Sequence, residues 1–179
     1  MKTLKFICFI FFIGLLLGGV FLSMSAGAQS KAQTRPAVII NSYAVDRGPY
    51  GTIWKIYIEA EAGDAEMTKI GVMVDQPGTG RYPTDWIYLK PEYRKHLKGY
   101  LQWTLFSSKG EMKEGDYITV RIFITDKVGS ESERVSFPFT FESGVGNQAK
   151  LPSPFDQGDV RKLGNISAEL KRPGTGRVD

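Results

Sequence analysis

From Val38 to Glu142 the apolar residues recur at every second position rather than every third or fourth. Trp54, Ile56, Ile58 and Ala60 share one parity; Lys55, Tyr57, Glu59 and Glu61 share the other. Ile118, Val120, Ile122 and Ile124 alternate with Tyr117, Thr119, Arg121, Phe123 and Thr125. Val135, Phe137, Phe139 and Phe141 alternate with Ser136, Pro138, Thr140 and Glu142. Leu101, Trp103 and Leu105 repeat the pattern more briefly, as do Ile70, Val72 and Val74. Successive side chains of a strand point to opposite faces, so each run buries one face and leaves the other wet. A period of two cannot present one apolar stripe on a helix, and this excludes a helical bundle.

Turn-forming residues punctuate the runs. Asp46-Arg47-Gly48-Pro49, Ala62-Gly63-Asp64 and Gln76-Pro77-Gly78-Thr79-Gly80 follow the first three. Lys109-Gly110 and Glu114-Gly115-Asp116 precede the strongest run, and Val128-Gly129-Ser130 follows it. Residues 37–44 read as a first strand and 84–89 as a weaker one, while 90–98 has room for a turn or a short helix. The pattern predicts an all-β, antiparallel sandwich of about seven strands over residues 37–142. Pro138 lacks the N–H a ladder needs, which places its strand at an edge or gives it a bulge.

The two ends differ from this middle. Lys2 and Lys5 precede an unbroken apolar run, Phe6–Leu22, and then small residues ending in Ala26-Gly27-Ala28. This order is that of an export signal cleaved after Ala28; the alternative is an uncleaved membrane anchor. Residues 29–36 are read as a linker. The one cysteine, Cys8, and two lysines would leave with the signal, halving the formal net charge of +4. One cysteine and one histidine in 179 residues exclude a disulfide framework, a cysteine zinc site and a multi-histidine site. Residues 143–179 are broken by Gly144, Gly146, Pro152, Pro154, Gly158, Gly164, Pro173, Gly174 and Gly176. They read as a flexible, mildly basic tail in which 160–170 is the one candidate for a short ordered piece. The pentapeptide Pro-Gly-Thr-Gly-Arg occurs at 77–81 and 173–177, too short to establish a repeat. Asn165-Ile166-Ser167 has the form of a glycosylation sequon.

At Gly115–Glu133 the residues GDYITVRIFITDKVGSESE resemble the penultimate strand and following turn of bacterial immunoglobulin-like and fibronectin-III-like domains. In such domains an alternating strand ends in Asp, here Asp126, before a small loop, here with Gly129 and Ser130. The resemblance implies an immunoglobulin-like sandwich. It departs at the tyrosine corner: the inward parity belongs to Ile118, and Tyr117 is one residue out of phase. The likeness is therefore to an architecture, and architecture alone does not choose a function.

Catalytic chemistry finds little to use. His96 sits in sequence among Arg94, Lys95 and Lys98, whose charges oppose an imidazolium, and no serine occupies a nucleophile elbow. Asp46, Asp75, Asp85, Asp116, Asp126 and Glu131 lie at strand ends but form no calcium loop, and read as turn formers. No cofactor and no metal are expected. The neutral middle of the chain gives no nucleic-acid signature.

The segment 81–103 is rich in aromatics. Trp103 follows the core parity of Leu101 and Leu105. Tyr82, Trp86, Tyr88 and Tyr93 are the candidates for an exposed binding surface. The expectation is an exported, non-catalytic module that binds an envelope or extracellular protein. The 81–98 connection, the Pro138 edge and the tail would contribute. The alternative is a carbohydrate-binding module using Tyr82, Trp86 and Tyr88. Membrane association is expected only if the signal is not cleaved.

Overall fold

The computed structural model describes residues 34–106, 112–144, 150–157 and 160–171. The expected signal segment, 1–28, lies outside them. The alternating runs become strands: β1 (Val38–Tyr43), β3 (Ile53–Glu61), β4 (Met67–Gln76), β7 (His96–Thr104), β8 (Tyr117–Asp126) and β9 (Val135–Phe141). Shorter pieces join them: β2 (Arg47–Gly48), β5 (Gly80–Arg81), β6 (Asp85–Tyr88) and β10 (Arg161–Asn165). Within 90–98 a single 3-10 turn, Pro91–Tyr93, leads directly into β7.

Two sheets face each other. The first has the order β1-β3-β7-β10 and the second β2-β9-β8-β4-β5, with β6 also pairing β4. Strands β5 and β6 together make one interrupted edge against β4. Consecutive strands switching between two sheets in this order is the arrangement of an immunoglobulin-like sandwich. Two pairings are parallel, β2 with β9 and β10 with β7, so the sheets are mixed rather than purely antiparallel. The outer side of β9 meets β2 only at Thr140 and Phe141, which leaves Pro138 beyond that partner, opposite Thr119 of β8.

The apolar parities meet between the sheets. Ile56, Ile58, Ile70, Val72, Leu97, Leu101, Ile118, Val120, Ile122 and Phe139 are fully enclosed. Trp54 and Trp103 are register partners on β3 and β7, and the Trp54 ring lies 4.8 Å from that of Phe139 on the opposite sheet. Each indole nitrogen reaches a backbone carbonyl at an end of the core: Trp54 donates to Val45 at 2.9 Å and Trp103 to Ala168 at 2.8 Å. A buried indole N–H needs such a partner, because leaving it unmade would cost its full desolvation.

The flexible-tail expectation for 143–179 is corrected over 150–157, and the candidate ordered piece at 160–170 is ordered over 160–171. Phe155, Ile166 and Leu170 are buried, and β10 pairs with β7. Burying each such side chain stabilises by about 1.5–3 kcal/mol, enough to oppose the entropy of ordering a few residues. The glycines and prolines that excluded a long element also permit the extended crossover that a parallel partner requires. Residues 145–149, 158–159 and 172–179, which include the second Pro-Gly-Thr-Gly-Arg, lie outside the described residues. β10 fits only because Gly99 has no side chain: a Cβ there would lie 2.6 Å from the Arg161 carbonyl oxygen and 2.5 Å from Leu163.

Candidate functional site

The four aromatic candidates separate. Trp86 and Tyr88 are on the outer face of β6, at 37% and 76% exposure, while Ile87 and Leu89 turn inward. Tyr93 is only partly exposed and rests on the core. Tyr82 is not a surface residue: it is buried, which corrects its place in an exposed row. Its hydroxyl donates to Gln76 Oε1 and accepts the Lys171 backbone N–H. Burial pushes the Tyr82 phenol up from the usual tyrosine value; the Lys171 N–H opposes that and the charge of Glu169 adds to it. Sequence could not show this, because the group that encloses Tyr82 is the C-terminal segment.

Trp86 and Tyr88 join residues from two neighbouring strands. Trp86 pairs with Gly71 of β4, which pairs with Phe123 of β8. Gly71 leaves a gap on the sheet, and the Phe123 ring lies across it; a Cβ at Gly71 would come within 2.3 Å of that ring. The Trp86 and Phe123 rings then meet edge to face, with centroids 5.6 Å apart at 83°. The Lys69 ammonium stands 3.9 Å from the Trp86 ring centre, and the Arg134 guanidinium 5.1 Å from that of Phe123. Such contacts are worth about 0.5–1 kcal/mol each when exposed. Further along the face, Asp75 accepts from Arg81 and Arg121. Phe123 is itself covered by these neighbours, so the face presents Trp86 and Tyr88, rimmed by basic groups.

Lys69, Phe123 and Arg134 were not among the expected site residues. Two signals for them exist in the sequence: Phe123 is an aromatic on the outward parity of its strand, and Gly71 is a lone glycine inside one. Neither says that the two will be adjacent, which depends on β4 lying between β6 and β8.

The other candidate groups are occupied. His96 lies across β3, with Nε2 3.6 Å from Glu59 and Nδ1 3.9 Å from Glu61, so carboxylates face it rather than its cationic sequence neighbours. Asp126 Oδ1 accepts the Val128 and Ser130 N–H groups, Asp116 accepts that of Lys113, and Asp85 holds Ser167. Asp126 Oδ2 is buried without a partner, but among the described residues no three His, Cys, Asp or Glu side chains form a group that could hold a metal. Among them, too, no helix is long and apolar enough to cross a membrane.

No protein-family model and no curated protein matches the sequence. Among solved structures, the chain is similar to the PKD domain of an M14-like peptidase from a Thermoplasmatales archaeon. The identity is 14% and the TM-score 0.42, over 62% of this chain and 99% of that one. It is also similar to the CARDB domain of a Pyrococcus furiosus protein in complex with di-metal ions. There the identity is 9% and the TM-score 0.33, over 60% of this chain and 88% of that one.

Proposed function

We propose that this chain is an exported, non-catalytic module that binds a protein of the cell envelope or the surroundings through the outer face of β6, β4 and β8. The observation that supports the reading is the exposed pair Trp86 and Tyr88, with Trp86 held edge to face by the covered Phe123 and the Lys69 ammonium over its ring. Rigid aromatics bring large contact area at low entropic cost, and cations over them favour a partner that presents carboxylates beside apolar groups. Export rests on the arrangement of residues 1–28.

The experiment is affinity capture from envelope extract of the source cell with the intact chain, beside a Trp86→Ala/Tyr88→Ala double variant. Both residues are exposed, so the variant is expected to fold, as circular dichroism would verify. A protein bound by the intact chain and lost from the variant supports the reading. A partner held equally by both, or none held by either, refutes this face as the docking surface.

A further inference from the structure

The opposite face of the sandwich carries a second aromatic row. Tyr43, Tyr57 and Tyr100 are register partners across β1, β3 and β7, all on the outward parity. The Tyr57 ring lies 6.4 Å from Tyr43 and 5.6 Å from Tyr100. Phe155, from the segment that crosses this sheet, closes over Tyr57 at 5.6 Å. Between that segment and the sheet runs an open trough of about 470 Å³, within the range of small-ligand sites. Tyr57, Tyr100, Leu151 and Phe155 form its apolar walls; Lys55, Lys150 and Asp156 stand at its sides. The Lys55 ammonium sits 4.8 Å from the Tyr100 ring centre. Among the described residues neither lysine has an ion-pair partner, and neither the Tyr57 nor the Tyr100 hydroxyl has a hydrogen-bond partner.

We infer that this trough binds an acidic sugar unit of an anionic polysaccharide. Tyr57 and Phe155 largely cover each other, so the apolar wall open to a pyranose is Tyr100 with Leu151, and the free Tyr57 and Tyr100 hydroxyls can bond to its hydroxyls. Two unpaired ammoniums against one carboxylate favour an anionic ligand, and the lysines can each meet a carboxylate by a charge-assisted hydrogen bond. The site shares no residue with the face of β6, β4 and β8, so each can fail without the other.

Affinity electrophoresis of the full chain through gels containing a polyuronate, or a neutral β-glucan of similar length, tests the inference. Retardation by the polyuronate alone is expected, weakened about ten-fold or more by Lys55→Gln and by Tyr100→Ala. Lys127→Gln, an exposed change of the same charge elsewhere, should leave it intact. Circular dichroism of Lys55→Gln, a surface change, keeps the test independent of folding. Equal retardation by the neutral glucan, no retardation by either, or equal losses from Lys127→Gln and Lys55→Gln would each overturn the assignment.

Discussion

The Tyr82 phenol oxygen accepts the backbone N–H of Lys171, 89 residues downstream, at 2.8 Å, and so ties the C-terminal segment to the edge of the second sheet. Gln76 completes the knot, donating from Nε2 to the Lys171 carbonyl at 2.6 Å. Leu170, the residue just before, is fully buried. Replacing Tyr82 by Phe keeps the ring and leaves the Lys171 N–H poorly paired. The expected loss is about 1–2 kcal/mol, read as a lower urea midpoint at unchanged slope. Amides of residues 166–171 should lose hydrogen-exchange protection before those of β8.

Stability should fall on the alkaline side. The Tyr57 and Tyr82 phenols are both held above the ordinary tyrosine value, chiefly by burial. A group whose folded pKa is raised contributes stability that is fully present below its unfolded pKa and is lost as pH rises through the folded one. The window therefore opens near pH 10, where free tyrosine titrates at about that value. Of the eight tyrosines, these two should ionise last in a phenolate absorbance titration. A Tyr57→Phe/Tyr82→Phe chain should lose less stability over the same interval.

Gly99→Ala should detach β10 without unfolding the sandwich. The added methyl would meet the Arg161 carbonyl oxygen, which belongs to backbone and cannot swing away. Limited proteolysis is the measurement: cleavage within 150–171 should accelerate several-fold while the fragment ending near Glu142 persists. Collapse of the whole chain instead would mean that the segment is required by the core, through Trp103 and Ala168.

Gly71→Ala should damage the aromatic face selectively. Its Cβ would strike three atoms of the Phe123 ring, forcing that ring off the sheet and away from Trp86. A cost of about 1–3 kcal/mol is expected for this overpacking. Tryptophan fluorescence would report the changed surroundings of Trp86, and partner capture should fall as expected for the Trp86→Ala/Tyr88→Ala variant.

Much of the sandwich was legible because alternation is a local property. Ile118, Val120, Ile122 and Ile124 sit on one parity and are all fully buried. Trp103 follows Leu101 and Leu105 into the core as its spacing requires. The same rule separates outward Trp86 and Tyr88 from inward Ile87 and Leu89. It misplaces Tyr82, which lies at an interrupted strand edge where a partner distant in sequence closes over the ring. It also misses β10, because Arg161–Asn165 has no strong alternation of its own and becomes a strand only against the open edge of β7.

The sequence by itself determined where the long strands run and which face of each packs between the sheets, since both follow from a two-residue period and from the backbone preferences of glycine and proline. Tertiary structure alone decided which outward residues become neighbours. Trp86 and Phe123 meet because three strands stack in one order; Tyr43, Tyr57, Tyr100 and Phe155 meet because another three do and the chain then crosses them. Strand order is a consequence of long-range pairing and closure of the two sheets. The hydrophobic pattern of any one strand is compatible with several such orders, and so carries no record of the surface that results.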